Sequence, residues 1–147
     1  MAIGSSTNKS LEEVSLVDNN IADDEMVDII TALTMHLNLR HLNLDGNRLC
    51  KKGCVALSKL LRISAIQLQS LDLAENKIDD DGLEVLIPAL KGSTELLSLR
   101  LANNHSITSS GWQRLATILE APNFNLAKLL LIIASLMTKQ WPFMQRY

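Results

Sequence analysis

Only two cysteines, Cys50 and Cys54, occur in 147 residues, too few for a disulfide framework. Their C-x3-C spacing has no second Cys or His pair to complete a zinc site. Neither charge sign dominates. The net charge is −2, so no global field favours nucleic acid or an anionic membrane. Long apolar runs are missing too: the longest, residues 129–137, is nine residues with Ser135 inside it, whereas a membrane-spanning helix needs roughly twenty. The opening residues MAIGSSTNKS hold no basic segment followed by an apolar run, so no secretory leader is read there. Cytoplasm or nucleus is the expected location. Aromatic residues make up only 3%, and all five lie between Trp112 and Tyr147.

Catalytic and cofactor signatures are equally scarce. There is no G-x-x-x-x-G-K-[S/T], no G-x-S-x-G and no G-x-G-x-x-G. The run Asp79-Asp80-Asp81-Gly82 fails as a calcium loop, because Lys77 and Pro88 fall where the first and twelfth ligands belong. His36, His41 and His105 occupy three different places in the pattern described next and form no ligand cluster. The expectation is a chain with no cofactor, no metal and no catalytic residue.

What is present is a repeat. The pattern L-x-x-L-x-L-x-x-N-x-L returns four times: Leu11, Val14, Leu16, Asn19, Ile21; then Leu39, Leu42, Leu44, Asn47, Leu49; then Leu68, Leu71, Leu73, Asn76, Ile78. The fourth copy, Leu96, Leu99, Leu101, Asn104 and Ile107, carries one inserted residue. Repeat starts stand 28, 29 and 28 residues apart, and Gly53, Gly82 and Gly111 recur every 29. The x-L-x-L stretch alternates as a short strand with one buried side. Asn19, Asn47, Asn76 and Asn104 follow where the chain leaves the strand, and their amides are expected to form a ladder bonding turn backbone that is otherwise buried unpaired.

After each turn the period becomes helical. Met26, Ile29, Ile30 and Leu33 share a face, as do Leu57, Leu60 and Leu61; Leu83, Leu86, Ile87 and Leu90; and Leu115, Ile118 and Leu119. Asp79 to Asp81 precede the third helix, and Ser109 and Ser110 the fourth, as capping residues. Cys54 aligns with Leu83 and Trp112 and is read as a core thiol; Cys50 falls in the loop.

The 28/29-residue period, the helix after each strand and the glycine near its start resemble the ribonuclease-inhibitor-like class of leucine-rich repeats. That class includes ribonuclease inhibitor, the Ran GTPase-activating protein and the repeat domains of NOD-like receptors. The resemblance implies an α/β solenoid, a curved slab with a parallel sheet on the concave side and helices on the convex side. Residues 11–125 would form four repeats, with 1–10 as a flexible lead-in or the end of a preceding repeat. Residues 126–147 read as a fifth, degenerate or cut unit: Leu126, Leu129, Leu131 and Leu136 keep register, but Ala134 replaces the ladder Asn and Gln140 the Gly. Glu25 likewise replaces the Gly in the first repeat. Neither end shows the polar cap of a terminal repeat, so the chain reads as a piece of a longer array.

By register, the outward strand positions are Glu12, Glu13, Ser15, Val17 and Asp18; Arg40, His41, Asn43, Asp45 and Gly46; Gln69, Ser70, Asp72, Ala74 and Glu75; and Leu97, Ser98, Arg100, Ala102 and Asn103. Six carboxylates against two arginines leave this face at −4, which favours a basic protein partner. Arg40 and Arg100 are its only hot-spot residue types. Asp72 beside Arg100 also fits a plain cross-strand pair. Lys51 and Lys52 stand where a helix N-terminus disfavours positive charge, which suggests either lateral pairing with Asp residues of neighbouring repeats or an anion site.

The function expected from the scaffold is non-enzymatic protein binding on the acidic concave face. The alternatives are a GTPase-activator-like regulatory module, or an inactive fragment of a longer repeat protein that self-associates through its fifth unit.

Overall fold

The computed structural model describes residues 11–119; the lead-in 1–10 and the fifth unit 126–147 lie outside the described residues. Four strands alternate with four helices: β1 Glu13–Ser15, α1 Asp23–Leu33, β2 His41–Asn43, α2 Lys51–Leu61, β3 Ser70–Asp72, α3 Asp80–Gly92, β4 Ser98–Arg100 and α4 Ser109–Leu119. The strands form one parallel sheet in the order β1-β2-β3-β4. Val14 pairs with Leu42, Leu42 with Leu71, and Leu71 with Leu99, one repeat apart each time. A parallel neighbour requires a crossover of a dozen or more residues, and each helix with its loops supplies it. Strands sit about 4.8 Å apart while packed helices need about 8–10 Å, so the stack bends with the sheet inside the curve.

The core fills the space between sheet and helices. Leu42, Leu44, Leu71, Leu73, Leu99 and Leu101 point into it from the strands. Met26, Ile30, Leu57, Leu60, Leu83, Leu86, Leu90 and Leu115 meet them from the helices, with Ile29 and Ile87 half-buried. Cys54, Leu83 and Trp112 are all buried at their shared register position. Burial pushes the Cys54 thiol far above the ordinary cysteine value, so it behaves as a small apolar side chain. The first repeat is less covered: Val14, Leu16 and Ile21 are only half-buried and Leu11 is exposed.

Three asparagines stitch the turns together. Asn76 Oδ1 accepts Leu49 N–H at 2.9 Å, and its Nδ2 donates to the carbonyls of Leu44 at 2.8 Å, Leu73 at 3.3 Å and Ala74 at 2.8 Å. Asn47 repeats the arrangement with Ile21 N–H and the carbonyls of Leu16, Leu44 and Asp45. Asn104 does so with Ile78 N–H and the carbonyls of Leu73, Leu101 and Ala102. All three are buried. Asn19 differs: it is exposed, and among the described residues its amide donates only to Val17 O, at 3.1 Å. Each rung reaches back to the preceding repeat, and none precedes Asn19 among the described residues.

The residue before each of these asparagines lies in the left-handed region: Asp18, Gly46, Glu75 and Asn103. Only Gly46 is a glycine, and a Cβ there would run into the Asp18 side chain. Helix starts are linked across repeats as well. The N-cap position of α2 is Cys50, which makes no side-chain cap. Instead Asp23, from the preceding repeat, accepts Cys50 N–H at 2.7 Å, Gly53 N–H at 2.9 Å and Lys52 N–H at 3.1 Å. The carboxylate offsets the two lysines that open α2. Asp80 does the same for the fourth repeat, accepting Thr108 N–H at 2.8 Å and the Thr108 hydroxyl. The Thr108 hydroxyl, then its N–H, hold the Asp80 carboxyl below the usual range. Asp79 caps its own helix through Gly82 N–H at 2.8 Å. In α4 the residue accepting a first-turn N–H is Thr108, which bonds Ser110 N–H, rather than Ser109 or Ser110 themselves.

Candidate partner-binding face

Strand alternation brings the outward residues into rows across the sheet. One row runs Glu13, His41, Ser70, Ser98, and the next runs Ser15, Asn43, Asp72, Arg100. Serines keep the floor low, and a shallow depression of about 350 Å3 opens over it, lined by Glu13, His41, Asn43, Ser70, Asp72 and Arg100.

The second row is partly committed to the fold. Asp72 is 6% exposed; its Oδ1 accepts Ala74 N–H at 3.1 Å and its Oδ2 accepts Arg100 Nη1 at 2.7 Å. Asn43 Oδ1 likewise accepts Asp45 N–H at 3.0 Å. These two side chains fasten the strand exit, a role that a surface reading of the register did not find. The signal for it was the repetition of an Asx residue two places before the turn.

Both arginines are engaged within the protein. Arg100 is bound to Asp72, and Arg40 Nη1 donates to the Gln67 carbonyl at 3.0 Å and its side-chain Oε1 at 2.9 Å. The acids are differently placed. Glu12, Glu13 and Asp18 are exposed and carry no ion pair among the described residues. Glu75 is exposed and among the described residues accepts only Asn103 Nδ2, at 3.2 Å. His41 is exposed and Asn103 half-buried.

Asp45 is the costly member of the face. Its Oδ1 is buried without a hydrogen-bond partner. Burial, then the negative charges of Asp72 and Glu75, push its carboxyl above the ordinary value; Arg100 pulls it down and Asp18 adds a smaller push upward. A carboxyl whose folded value is raised disfavours the fold once ionised. The penalty is absent below the unfolded value, grows as pH rises through the folded one, and persists at neutral pH. Asp45→Asn is therefore expected to raise the urea midpoint at pH 7, with the gain shrinking as pH falls toward about 4. A variant no more stable than wild type at pH 7 would contradict this account.

On the helical side, the lysines that open α2 pair laterally. Lys51 Nζ lies 2.9 Å from Asp81 in the third repeat, and Lys52 Nζ lies 2.7 Å from Asp24 in the first. Arg114 and Glu84 pair similarly at 2.7 Å. These exposed pairs each contribute little to stability, but they use the charges that an anion site would need. Among the described residues no group of three His, Cys, Asp or Glu side chains is placed to hold a metal ion. No described helix is long and apolar enough to cross a membrane.

Comparison with known proteins agrees with this geometry. A family model described as "Leucine Rich repeat" matches residues 7–24 and 67–86, and another described as "Leucine Rich Repeat" matches 38–60. The chain is 33% identical over 115 residues to "NACHT, LRR and PYD domains-containing protein 13" of Homo sapiens, across 78% of this chain and 11% of that protein. It is 30% identical over 116 residues to "NACHT, LRR and PYD domains-containing protein 5" of Mus musculus, across 79% of this chain and 10% of that protein. The chain thus spans only these small shares, 11% and 10%, of the relatives' length. Among solved structures, "Leiomodin-1 Actin-Binding Site 2 (ABS2)" superposes with a TM-score of 0.69 at 22% identity, over 77% of this chain and 66% of that one. At that identity the likeness is one of fold.

Proposed function

Because this chain belongs to the leucine-rich repeat proteins, with repeats of the NOD-like receptor type, we propose that it is a non-enzymatic interaction scaffold whose concave sheet face binds a basic protein surface. The observation that carries the reading is the unequal fate of the charges. Arg40 and Arg100 are held by Gln67 and Asp72, while Glu12, Glu13 and Asp18 stand exposed without an ion-pair partner among the described residues. The net charge of the face stays at −4, and the side chains left free to meet a partner's charges are mainly carboxylates. Charge of this kind acts mainly on association rate and partner choice. Asp45, whose ionised form is penalised by burial and by the neighbouring acids, fits the same reading, since stability is commonly given up at binding surfaces.

The test is affinity capture and binding kinetics with wild type and the triple variant Glu12→Gln/Glu13→Gln/Asp18→Asn. The association rate of a captured partner should fall with ionic strength, and fall about tenfold in the variant at low salt. Identical partner profiles and rates for the two proteins would sink the reading.

A further inference from the structure

The convex surface carries a groove that the concave-face reading does not use. It runs between α1 and α2 and encloses about 550 Å3. Val27 and Thr31 of α1 and Val55 and Ala56 of α2 line it. These side chains are too short to fill the space between two helices held apart by core residues such as Met26, Ile30 and Leu57. The threonines do not make the groove polar. Thr31 donates its hydroxyl to Val27 O at 2.7 Å, and Thr34 donates to Thr31 O at 2.7 Å, so both hydroxyls are satisfied by the helix backbone.

Charge is arranged along the groove in a fixed sense. At one end the Lys52–Asp24 pair spans from α2 to α1. Farther along, Asp28 on α1 and Lys59 on α2 also line it, and neither has an ion-pair partner among the described residues. One wall is thus acidic and the other basic above an apolar floor.

We propose that this groove receives a short amphipathic helix from another protein, with a basic residue against Asp28 and an acidic residue against Lys59. The backbone argument selects a helix. Both walls are helices whose N–H and C=O groups are already paired internally, so an extended peptide laid between them would bury its own polar backbone unpaired. A helix brings its hydrogen bonds with it and needs to offer only side chains, apolar at i, i+3 or i+4, and i+7. The stretch from Asp24 to Thr34 rises about 15 Å, which matches an occupant of about three turns. The helices occupy the other side of the sheet from the concave face, so the two surfaces can be occupied independently.

The experiment is selection from a displayed library of helical peptides on the full chain, repeated on Asp28→Lys/Lys59→Glu. Peptides chosen on wild type should carry an apolar stripe with a basic flank and an acidic flank. They should lose at least about tenfold in affinity on Ala56→Arg and on the charge-swapped protein. The swapped protein should select the inverse flank order, and Glu12→Gln/Glu13→Gln/Asp18→Asn should bind as wild type does. Both swapped positions lie outside the buried core, so that variant remains informative if Ala56→Arg fails to fold. Failure to enrich any peptide would overturn the proposal, as would peptides indifferent to the swap. A wild-type dimer that the swap disperses in sedimentation would assign the groove to a second copy of this chain instead.

Discussion

Replacing Asn76 with alanine is expected to cost about 3 kcal/mol of folding stability, while the same change at Asn19 stays within about 0.5 kcal/mol. The two residues occupy the same register position and differ only in what surrounds them. At Asn76 the truncation leaves Leu49 N–H buried with no acceptor and removes three donated bonds at once. The orphaned N–H is the largest part of the loss, since an unmet buried donor costs about 1–3 kcal/mol. The carbonyls suffer less: Leu44 O and Leu73 O keep the amides of Asn47 and Asn104, and Ala74 O keeps Gly46 N–H. Among the described residues Asn19 has none of this to lose, because its amide meets only Val17 O at an exposed site. Urea unfolding of both variants decides it. Against a total stability of about 5–15 kcal/mol the Asn76 loss is large, and equal shifts at the two sites would show that these bonds are not what holds the turns.

The second large effect concerns the cap shared between repeats. Asp23→Ala should destabilise the protein by about 2 kcal/mol, since it strips a charged acceptor from three N–H groups at the start of α2. It would also leave Lys51 and Lys52 beside an uncompensated positive helix end. Gly53→Ala should move stability in the same direction, against its helix propensity, which alone would favour alanine by about 1 kcal/mol. The reason is contact: a Cβ at Gly53 would stand 2.7 Å from Asp23 Oδ1 and 2.8 Å from Leu49 Cγ. The methyl displaces the carboxylate from its cap, so the two substitutions remove the same interaction. The double variant should lose about 1 kcal/mol less than the sum of the singles. Strict additivity would mean that Gly53 is required for some reason other than room for Asp23.

Glu25 shows the same rule from the other side. It stands at the glycine position of the first repeat, where the described residues place no preceding aspartate. Its carboxylate turns back to accept Ala22 N–H at 3.0 Å, and the side chain is exposed. At Gly53 and Gly111 the glycine thus makes room for an aspartate of the preceding repeat, whereas the Gly82 N–H is taken by Asp79 of its own repeat.

The sequence by itself determined the repeat, the strand positions, the register that pairs Leu42 with Leu71 and Leu71 with Leu99, the buried helix faces and the parallel sheet. It could do so because each depends on a side-chain period of two or 3.6 residues, or on identity at a spacing of 28 or 29, and these are properties of one line of residues. Only the tertiary structure decided which charges are free. The partners of Arg40 and Cys50 lie 27 residues away, and those of Arg100 and Lys52 28. Periodicity brings such residues near one another but does not say whether a carboxylate bonds a neighbouring helix end, an arginine or nothing. The same limit separates Asn19 from the ladder and hides the unpartnered oxygen of Asp45. It also leaves the α1–α2 groove unseen, because that space depends on how far two helix backbones stand apart when Val27, Thr31, Val55 and Ala56 are too short to close it.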